Sequence, residues 1–318
     1  MPTPSSLPDL LGRTSEVRGE EVIYRFANGL TIETEVWSKD DKLRILPLGS
    51  PQGSLMNHML NFPDVVRDKR LFEPFSGSGA LGFMALEIGA RHVDFLDINP
   101  KASVFQRTNA RLNQFPSSRF RSIEADIASF EPEHRYELIL ANPPFIPTPD
   151  GIEGTVTSNG GTDGNRFVEI LLRRLEEFLE PQGEALILLF QLVRGQQPLI
   201  AELISDLVIH RPIELTPSQE HPVRFEVYCR AYSQLFPGAQ EDIARWRSSL
   251  IGKHGEDLSL CHYVARVGPR GDPPTSCVIR SDFAEQFGES FLVPSDNQEE
   301  FSIGWAFENF VPSSQRRS

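Results

Sequence analysis

Leu71-Phe72-Glu73-Pro74-Phe75-Ser76-Gly77-Ser78-Gly79-Ala80-Leu81-Gly82 runs from an apolar stretch through a glycine-rich turn into a helical pattern. Glycines at 77 and 79 let the backbone turn sharply and approach a ligand with no Cβ in the way, which makes the turn a cradle for a nucleotide-like molecule. Outward from it, strands are predicted over residues 70–75, 92–98, 120–126, 137–141 and 184–191. Helices with apolar stripes separate them, one carrying Leu81, Met84, Ala85 and Ile88, another Phe167, Ile170, Leu171, Leu175, Phe178 and Leu179. Pro100 suits a first helical turn, and Gly89 and Gly183 read as helix ends. Strand and helix in alternation imply a doubly wound α/β fold, a mostly parallel sheet covered on both faces.

The flanks are organised differently. Residues 1–20, rich in Pro, Ser and charge, read as a loose arm, and residues 22–36 alternate around Asn28-Gly29 as a two-stranded hairpin. Pro47, Gly49, Pro51 and Gly53 form a loop into a short helix capped by Ser54. Beyond residue 191 we expect a helix over 198–207, strands over 212–218, 224–232 and 258–267, and an amphipathic helix around Ile243, Trp246 and Leu250. No period is visible after Gly268, and residues 312–318 read as disordered. The expected division is therefore an arm (1–20), a hairpin or lid region (21–63), the α/β domain (64–235) and a C-terminal extension (236–318) placed to complete the sheet.

Three strand ends carry chemistry on one edge. Glu73 to Gly79 form the cradle, with Glu73, Phe75, Gly77 and Gly79 as candidate ligand-binding positions. Asp97 ends the second strand, where a carboxylate accepts hydrogen bonds from ribose hydroxyls, and Asp126 ends the third, where it receives an exocyclic amino group. Ile98 and Ile127 supply apolar walls for a base. Each acid alone is equally a helix cap or a solvated strand end; three such features in order argue for a site. With Gly82 the turn also spells the dinucleotide pattern G-x-G-x-x-G, so a dehydrogenase is a rival.

Asn142-Pro143-Pro144-Phe145, directly after the fourth strand, is the most specific signal. Two prolines hold a rigid, non-helical turn. A planar –NH2 must shift lone-pair density onto nitrogen before it attacks a methyl sulfonium. The Asn142 side-chain oxygen and the Pro143 carbonyl can each accept one of its N–H bonds while Phe145 stacks on the planar group. Positioning of this kind supplies up to ~7 to 11 kcal/mol, and no strong base is needed because the leaving group is already activated. Hydride transfer has no use for such a turn, which counts against the dehydrogenase.

These residues, Glu73 to Gly79, Asp97, Asp126 and Asn142 to Phe145, resemble the motifs of class I methyltransferases over about residues 71–191. Gly160-Gly161-Thr162-Asp163-Gly164 resembles the Gly-Gly-x-Asp-Gly stretch of release-factor glutamine methyltransferases, while residues 97–113 and the Gly79-Ala80-Leu81-Gly82 turn resemble bacterial ribosomal-RNA guanine methyltransferases. The resemblance implies a seven-stranded Rossmann-like methyltransferase fold. It implies S-adenosyl-L-methionine held by Glu73, Phe75, Gly77, Gly79, Asp97, Ile98, Asp126, Ile127 and Asn142, with the acceptor at Asn142, Pro143 and Phe145. The chain departs from the glutamine enzymes in having Phe145 where they usually have Tyr. It also has Leu48-Gly49-Ser50-Pro51-Gln52-Gly53 in place of their Pro-Arg-x-Glu-Thr-Glu segment.

Composition narrows the acceptor. Against 44 acidic residues stand 31 basic ones, a net charge of -13 that disfavours a polyanion as partner. A protein side chain or small molecule is the expected methyl acceptor; RNA or DNA amino groups, adenine N6 or guanine N2, are the alternative, and a non-catalytic cofactor-binding scaffold the third reading. Cys229, Cys261 and Cys277 are too scattered for a disulfide framework or a metal knuckle, and the seven histidines show no ligand spacing, so no metal is expected. No G-x-S-x-G elbow and no membrane-length apolar run appear, and a cytosolic, reduced protein is expected. Trp246 and Trp305 read as packing residues, and Tyr24 and Trp37 as candidates for an acceptor entrance.

Overall fold

The computed structural model describes residues 11, 14–38, 41–152, 156–208, 210–218, 222–271 and 277–292. Three antiparallel strands come first, β1 Thr14–Arg18, β2 Glu21–Arg25 and β3 Thr31–Glu35, with Val17 opposite Val22 and Tyr24 opposite Ile32. The hairpin around Asn28-Gly29 is present, with Gly29 at φ +94°. β1 was not foreseen, because four of its five side chains are polar and none is buried, so it has no apolar face to read; it falls within the stretch expected to be a loose arm, of which residues 1–10 lie outside the described residues. Helix α1, Ser50–Asn61, follows. Its start is capped by Gln52, whose Oε1 accepts the Gly49 N–H at 2.8 Å, whereas Ser54, the expected cap, is buried inside the helix and donates to the Pro51 carbonyl.

The large sheet alternates with helices thereafter: β4 Arg70–Pro74, α2 Ala80–Ile88, β5 His92–Asp97, α3 Pro100–Leu112, β6 Phe120–Glu124 and β7 Tyr136–Ala141. Then come α4 Arg166–Arg173, the short α5 Leu175–Phe178, β8 Leu179–Arg194, the two-residue β9 Gln197–Pro198, α6 Ile200–Leu207 and β10 Ile213–Pro217. After these lie β11 Val223–Arg224, α7 Phe225–Leu235, α8 Gln240–His254, β12 Leu258–Val267 and β13 Cys277–Ile279. Spatial order is β13-β10-β12-β8-β7-β4-β5-β6, with β11 and β9 pairing off this path. β8, β7, β4, β5 and β6 are parallel, and β12 runs antiparallel to both β8 and β10. The expected seven strands form the spine; the three short strands β9, β11 and β13 raise the sheet to ten.

Alternation along β7 shows how both faces are covered. Leu138 and Leu140 join the cluster containing α1, α2 and the N-terminal sheet, while Ile139 and Ala141 join the one containing α4, α5 and α6. The chain winds from β4 outward through β5 and β6, then returns to place β7 on the other side of β4. The carboxyl ends of β4 and β7 therefore diverge at a topological switch point, where a ligand crevice is expected in such sheets.

Three expectations need correction. β8 begins at Leu179, so Gly183 lies inside a strand, where a Cβ would stand 2.8 Å from the Tyr136 carbonyl oxygen. Of residues 224–232, only Arg224 is in a strand, β11, and residues 225–232 form most of helix α7. Both periods are present there: Phe225, Val227 and Cys229 alternate, but Phe225, Tyr228, Cys229 and Tyr232 follow helical spacing, and burial on several sides hides the difference. The aperiodic tail also has structure. Residues Ala284–Gly288 make a wide π-helical turn and Glu289–Phe291 a tight 3-10 turn against α1, with the Asn57 Nδ2 donating to the Phe287 carbonyl at 3.0 Å and His58 Nδ1 2.9 Å from the Gln286 carbonyl. Residues 312–318 lie outside the described residues. Among the described residues no helix is long and apolar enough to cross a membrane.

Candidate active site

The glycine-rich turn is built from three different constraints. Gly77, at φ +48°, would carry a Cβ that meets nothing within 4 Å, so its bare face looks into open space. Gly79, at φ +77°, caps α2 in a left-handed conformation. Gly82 sits under the turn, where a Cβ would fall 2.3 Å from Phe95 and 2.6 Å from the Glu73 carboxylate. Phe75 adopts φ +59°, a strained value for a non-glycine residue, and the Ser76 N–H bonds the Leu96 carbonyl at 3.1 Å.

The Glu73 carboxylate lies behind this turn and accepts the Gly82 N–H at 2.6 Å. Burial pushes its pKa up to about 8, against the lowering effect of its backbone hydrogen bonds. Asp97 faces the other way. Its Oδ2 accepts the Gly77 N–H at 2.7 Å and its Oδ1 the Asn99 N–H at 2.9 Å, and desolvation raises its pKa in opposition to those bonds. A carboxylate pinned by two backbone donors keeps lone pairs for further donors.

Phe75, Gly77, Asp97, Ile98, Asp126, Ile127 and Asn142 together line one cavity of about 220 Å³ at the carboxyl edge of the sheet. Ile98 is 54% exposed there, an open apolar wall on one side, with Ile127 on the other. Four of the expected positions do not line it. Glu73 and Gly79 shape the turn from within, Pro143 is buried in the backbone bend, and the Phe145 ring packs edge-on to His262, 5.8 Å away. The Asn142 side-chain oxygen is buried on the cavity wall with no hydrogen-bond partner among the described residues. An orphaned buried acceptor is costly, and this one stands on the cavity wall.

The segment Gly160 to Gly164 explains itself by contact. It lies against the strand-like run after the Asn-Pro-Pro turn: Ile146 N–H bonds Ser158 O at 2.9 Å, Gly160 N–H bonds Ile146 O at 2.9 Å, and Thr148 N–H bonds Gly161 O at 2.8 Å. A Cβ at Gly160 would fall 2.8 Å from the Phe145 backbone, and one at Gly164 2.5 Å from the Phe145 carbonyl oxygen. Trp246 of α8 donates to the Thr162 carbonyl at 2.8 Å, so α8 steadies the same loop.

Residues that the sequence reading missed close the cavity. Ile45, Leu46 and Gln52 come from the N-terminal region, Val156 and Thr157 from the loop after β7, and Arg166 and Phe167 from the start of α4. The two straps meet where the Val156 N–H bonds the Lys42 carbonyl at 3.1 Å. Phe167 sets its ring edge-on to Phe75 at 5.9 Å. Only Arg166 and Phe167 carried a sequence signal, their place directly after the Gly160–Gly164 motif; the straps join segments over 100 residues apart.

Residues 55–207 match the family model described as methyltransferase small domain. That stretch is similar to a methyltransferase small domain. Its curated relatives include a release factor glutamine methyltransferase of Synechocystis sp., 32% identical over 43% of this chain and 51% of the relative. A putative protein N5-glutamine methyltransferase of Methanocaldococcus jannaschii is 30% identical over 39% and 62%. A tRNA1(Val) (adenine(37)-N6)-methyltransferase of Vibrio campbellii is 26% identical over 50% and 66%. The chain thus spans between half and two thirds of each relative's length. A solved S-adenosylmethionine-dependent methyltransferase from Agrobacterium tumefaciens shares the fold, with TM-score 0.50, 16% identity and coverage of 80% of this chain and 72% of that one. The matched stretch contains β4 to β8, most of α1 and all of α6, so it includes the glycine-rich turn, both acids and Asn142.

Proposed function

We propose that the chain is an S-adenosyl-L-methionine-dependent N-methyltransferase acting on a planar nitrogen, an amide or amine of a protein side chain or small molecule. The observation that carries the reading is the partnerless, buried Asn142 oxygen on the wall of the cavity that Asp97, Asp126 and Gly77 also line. The cavity residues fit the cofactor: Asp97 offers acceptors to ribose hydroxyls, Asp126 to an adenine amino group, Ile98 and Ile127 flank the base, and Gly77 leaves room at the turn. The cofactor supplies an electrophilic methyl on sulfonium.

The protein's part is positioning. Asn142 Oδ1 takes one acceptor N–H, the Pro143 carbonyl takes the other, and both draw lone-pair density onto the nitrogen. The Phe145 ring does not line the cavity and packs edge-on against His262, so it braces the turn that carries Asn142. Burial pushes the His262 pKa down to about 4, so the imidazole is neutral at physiological pH and packs as an aromatic ring, stacked on Phe190 at 4.2 Å. The glutamine-directed relatives support a protein acceptor, and the tRNA-directed relative keeps adenine N6 as the second reading. Incubation with methyl-labelled cofactor and cell extract separates them. Label in protein or small molecules is the expected result, label confined to nucleic acid selects the second reading, and no transfer despite cofactor binding defeats both.

A further inference from the structure

Arg166 is the cation of the cavity. Among the described lining residues it is the sole positively charged side chain, set against the carboxylates of Asp97 and Asp126. Among the described residues its guanidinium makes no hydrogen bond or ion pair; it lies over the Phe167 ring with 5.3 Å between its central carbon and the ring centroid. Its backbone is fixed, because its N–H bonds the Gly160 carbonyl at 3.0 Å and Gly161 packs against its Cβ. An arginine stacked on an aromatic face keeps its rigid fork of N–H donors free at the edge and loses little entropy on gaining an oxyanion.

Resting on the cofactor reading above, we infer that Arg166 binds the α-carboxylate of the cofactor's methionine moiety. S-adenosylmethionine carries two positive groups, the sulfonium and the ammonium, and one negative group. Asp97 and Asp126, given to the ribose and the adenine, make the cavity wall negative and repel the carboxylate unless a cation stands in the same wall. Arg166 is that cation. The proposed acceptor, an amide or amine, brings no anion of its own for Arg166 to serve.

The test compares two ligands differing only in the carboxylate, S-adenosylhomocysteine and its decarboxylated analogue S-adenosyl-3-thiopropylamine, by calorimetry on the full chain. Arg166→Gln should weaken S-adenosylhomocysteine about tenfold, the scale of one charge-assisted hydrogen bond at an exposed site, and leave the decarboxylated analogue within about twofold. Arg166→Lys, which keeps the charge without the fork, should fall between. Equal weakening of both ligands, or of neither, overturns the assignment. Asp97→Asn is the control for the cavity itself. If it weakens both ligands while Arg166→Gln leaves both unchanged, the Arg166 inference alone fails; if it too leaves both unchanged, the cofactor site lies elsewhere and both readings fall.

Discussion

Two carboxylates on the neighbouring strands β4 and β5 have been given opposite tasks. Glu73 sits behind the glycine-rich loop and supports it through the Gly82 N–H, while Asp97 is held by two backbone donors with its free edge to the cavity. Because burial raises the Glu73 pKa to about 8, the folded state holds its proton more tightly than the unfolded chain. The cost of ionising it therefore begins as pH rises past the ordinary carboxylate range and is complete above about 8. Glu73→Gln keeps an oxygen for Gly82 and removes that cost. Its melting temperature should exceed the parent's by a margin that grows from pH 5 to pH 8.5, reaching a few kcal/mol of stability; a constant margin would show Glu73 ionised throughout. Asn142 is the opposite case, an acceptor without a partner. Asn142→Ala should lower turnover about a hundredfold while leaving cofactor affinity nearly intact, since it removes an oxygen that matters as the acceptor nitrogen becomes electron-rich. Parent-like turnover at saturating acceptor would remove Asn142 from the chemistry.

Helix α1 connects the cavity to the chain's far end. Gln52 at its start lines the cavity, and one residue on, Gly53 receives the ring of Phe291 so closely that a Cβ would stand 2.6 Å from Cε1. Gly53→Ala should therefore cost about 1 to 3 kcal/mol by overpacking, read from denaturant midpoints. Phe291→Leu in the same chain should recover part of it, and strictly additive losses would mean that the two do not touch in solution. Nothing in the sequence announced this contact, because Gly53 reads as loop punctuation and residues 284–291 have no period. What was legible followed from local pattern: β12, Leu258–Val267, is mostly apolar and has the expected bounds, and β4, β7 and the second half of β8 are apolar runs because both their faces are covered, whereas β6 has no buried side chain. The ligand-facing ends of those strands were legible as well, since glycine, acid and Asn-Pro-Pro fall at fixed points after each run. The straps, Ile45 to Gln52 and Val156 to Thr157, were not, because ordinary apolar and polar residues line the cavity there through tertiary placement alone.

At the scale of the whole molecule the question is what can approach this site. The excess of 44 acids over 31 bases is only an average, and a local basic groove would escape it. Among the described residues, however, the arginines of two compact basic clusters, residues 67–70 and 173–174, are already engaged. Arg67 pairs with Asp64 at 2.9 Å, Arg70 approaches His134 at 3.2 Å, Arg173 holds Glu169 at 2.6 Å, and Arg174 binds Glu177 and the Ile127 and Phe130 carbonyls. Arg211, fully buried, ties Glu176 to the carbonyls of Gly183 and Glu180 and has no surface to offer. Releasing counterions from a phosphate backbone needs several exposed cations in a row, and each of these would first have to leave its present partner. Beside the Asn-Pro-Pro turn, α7 and α8 pack Tyr228, Tyr232 and Trp246 into an apolar wall with Ile146, so aromatic groups there are spent on packing rather than displayed for bases to stack on. Filter binding to total RNA and to duplex DNA should accordingly give dissociation constants weaker than about 100 µM at physiological salt, with a shallow dependence on salt concentration. Micromolar affinity that collapses as salt rises would mean that a basic surface assembles on contact, and would transfer the proposed acceptor from a protein or small-molecule nitrogen to a nucleobase amine.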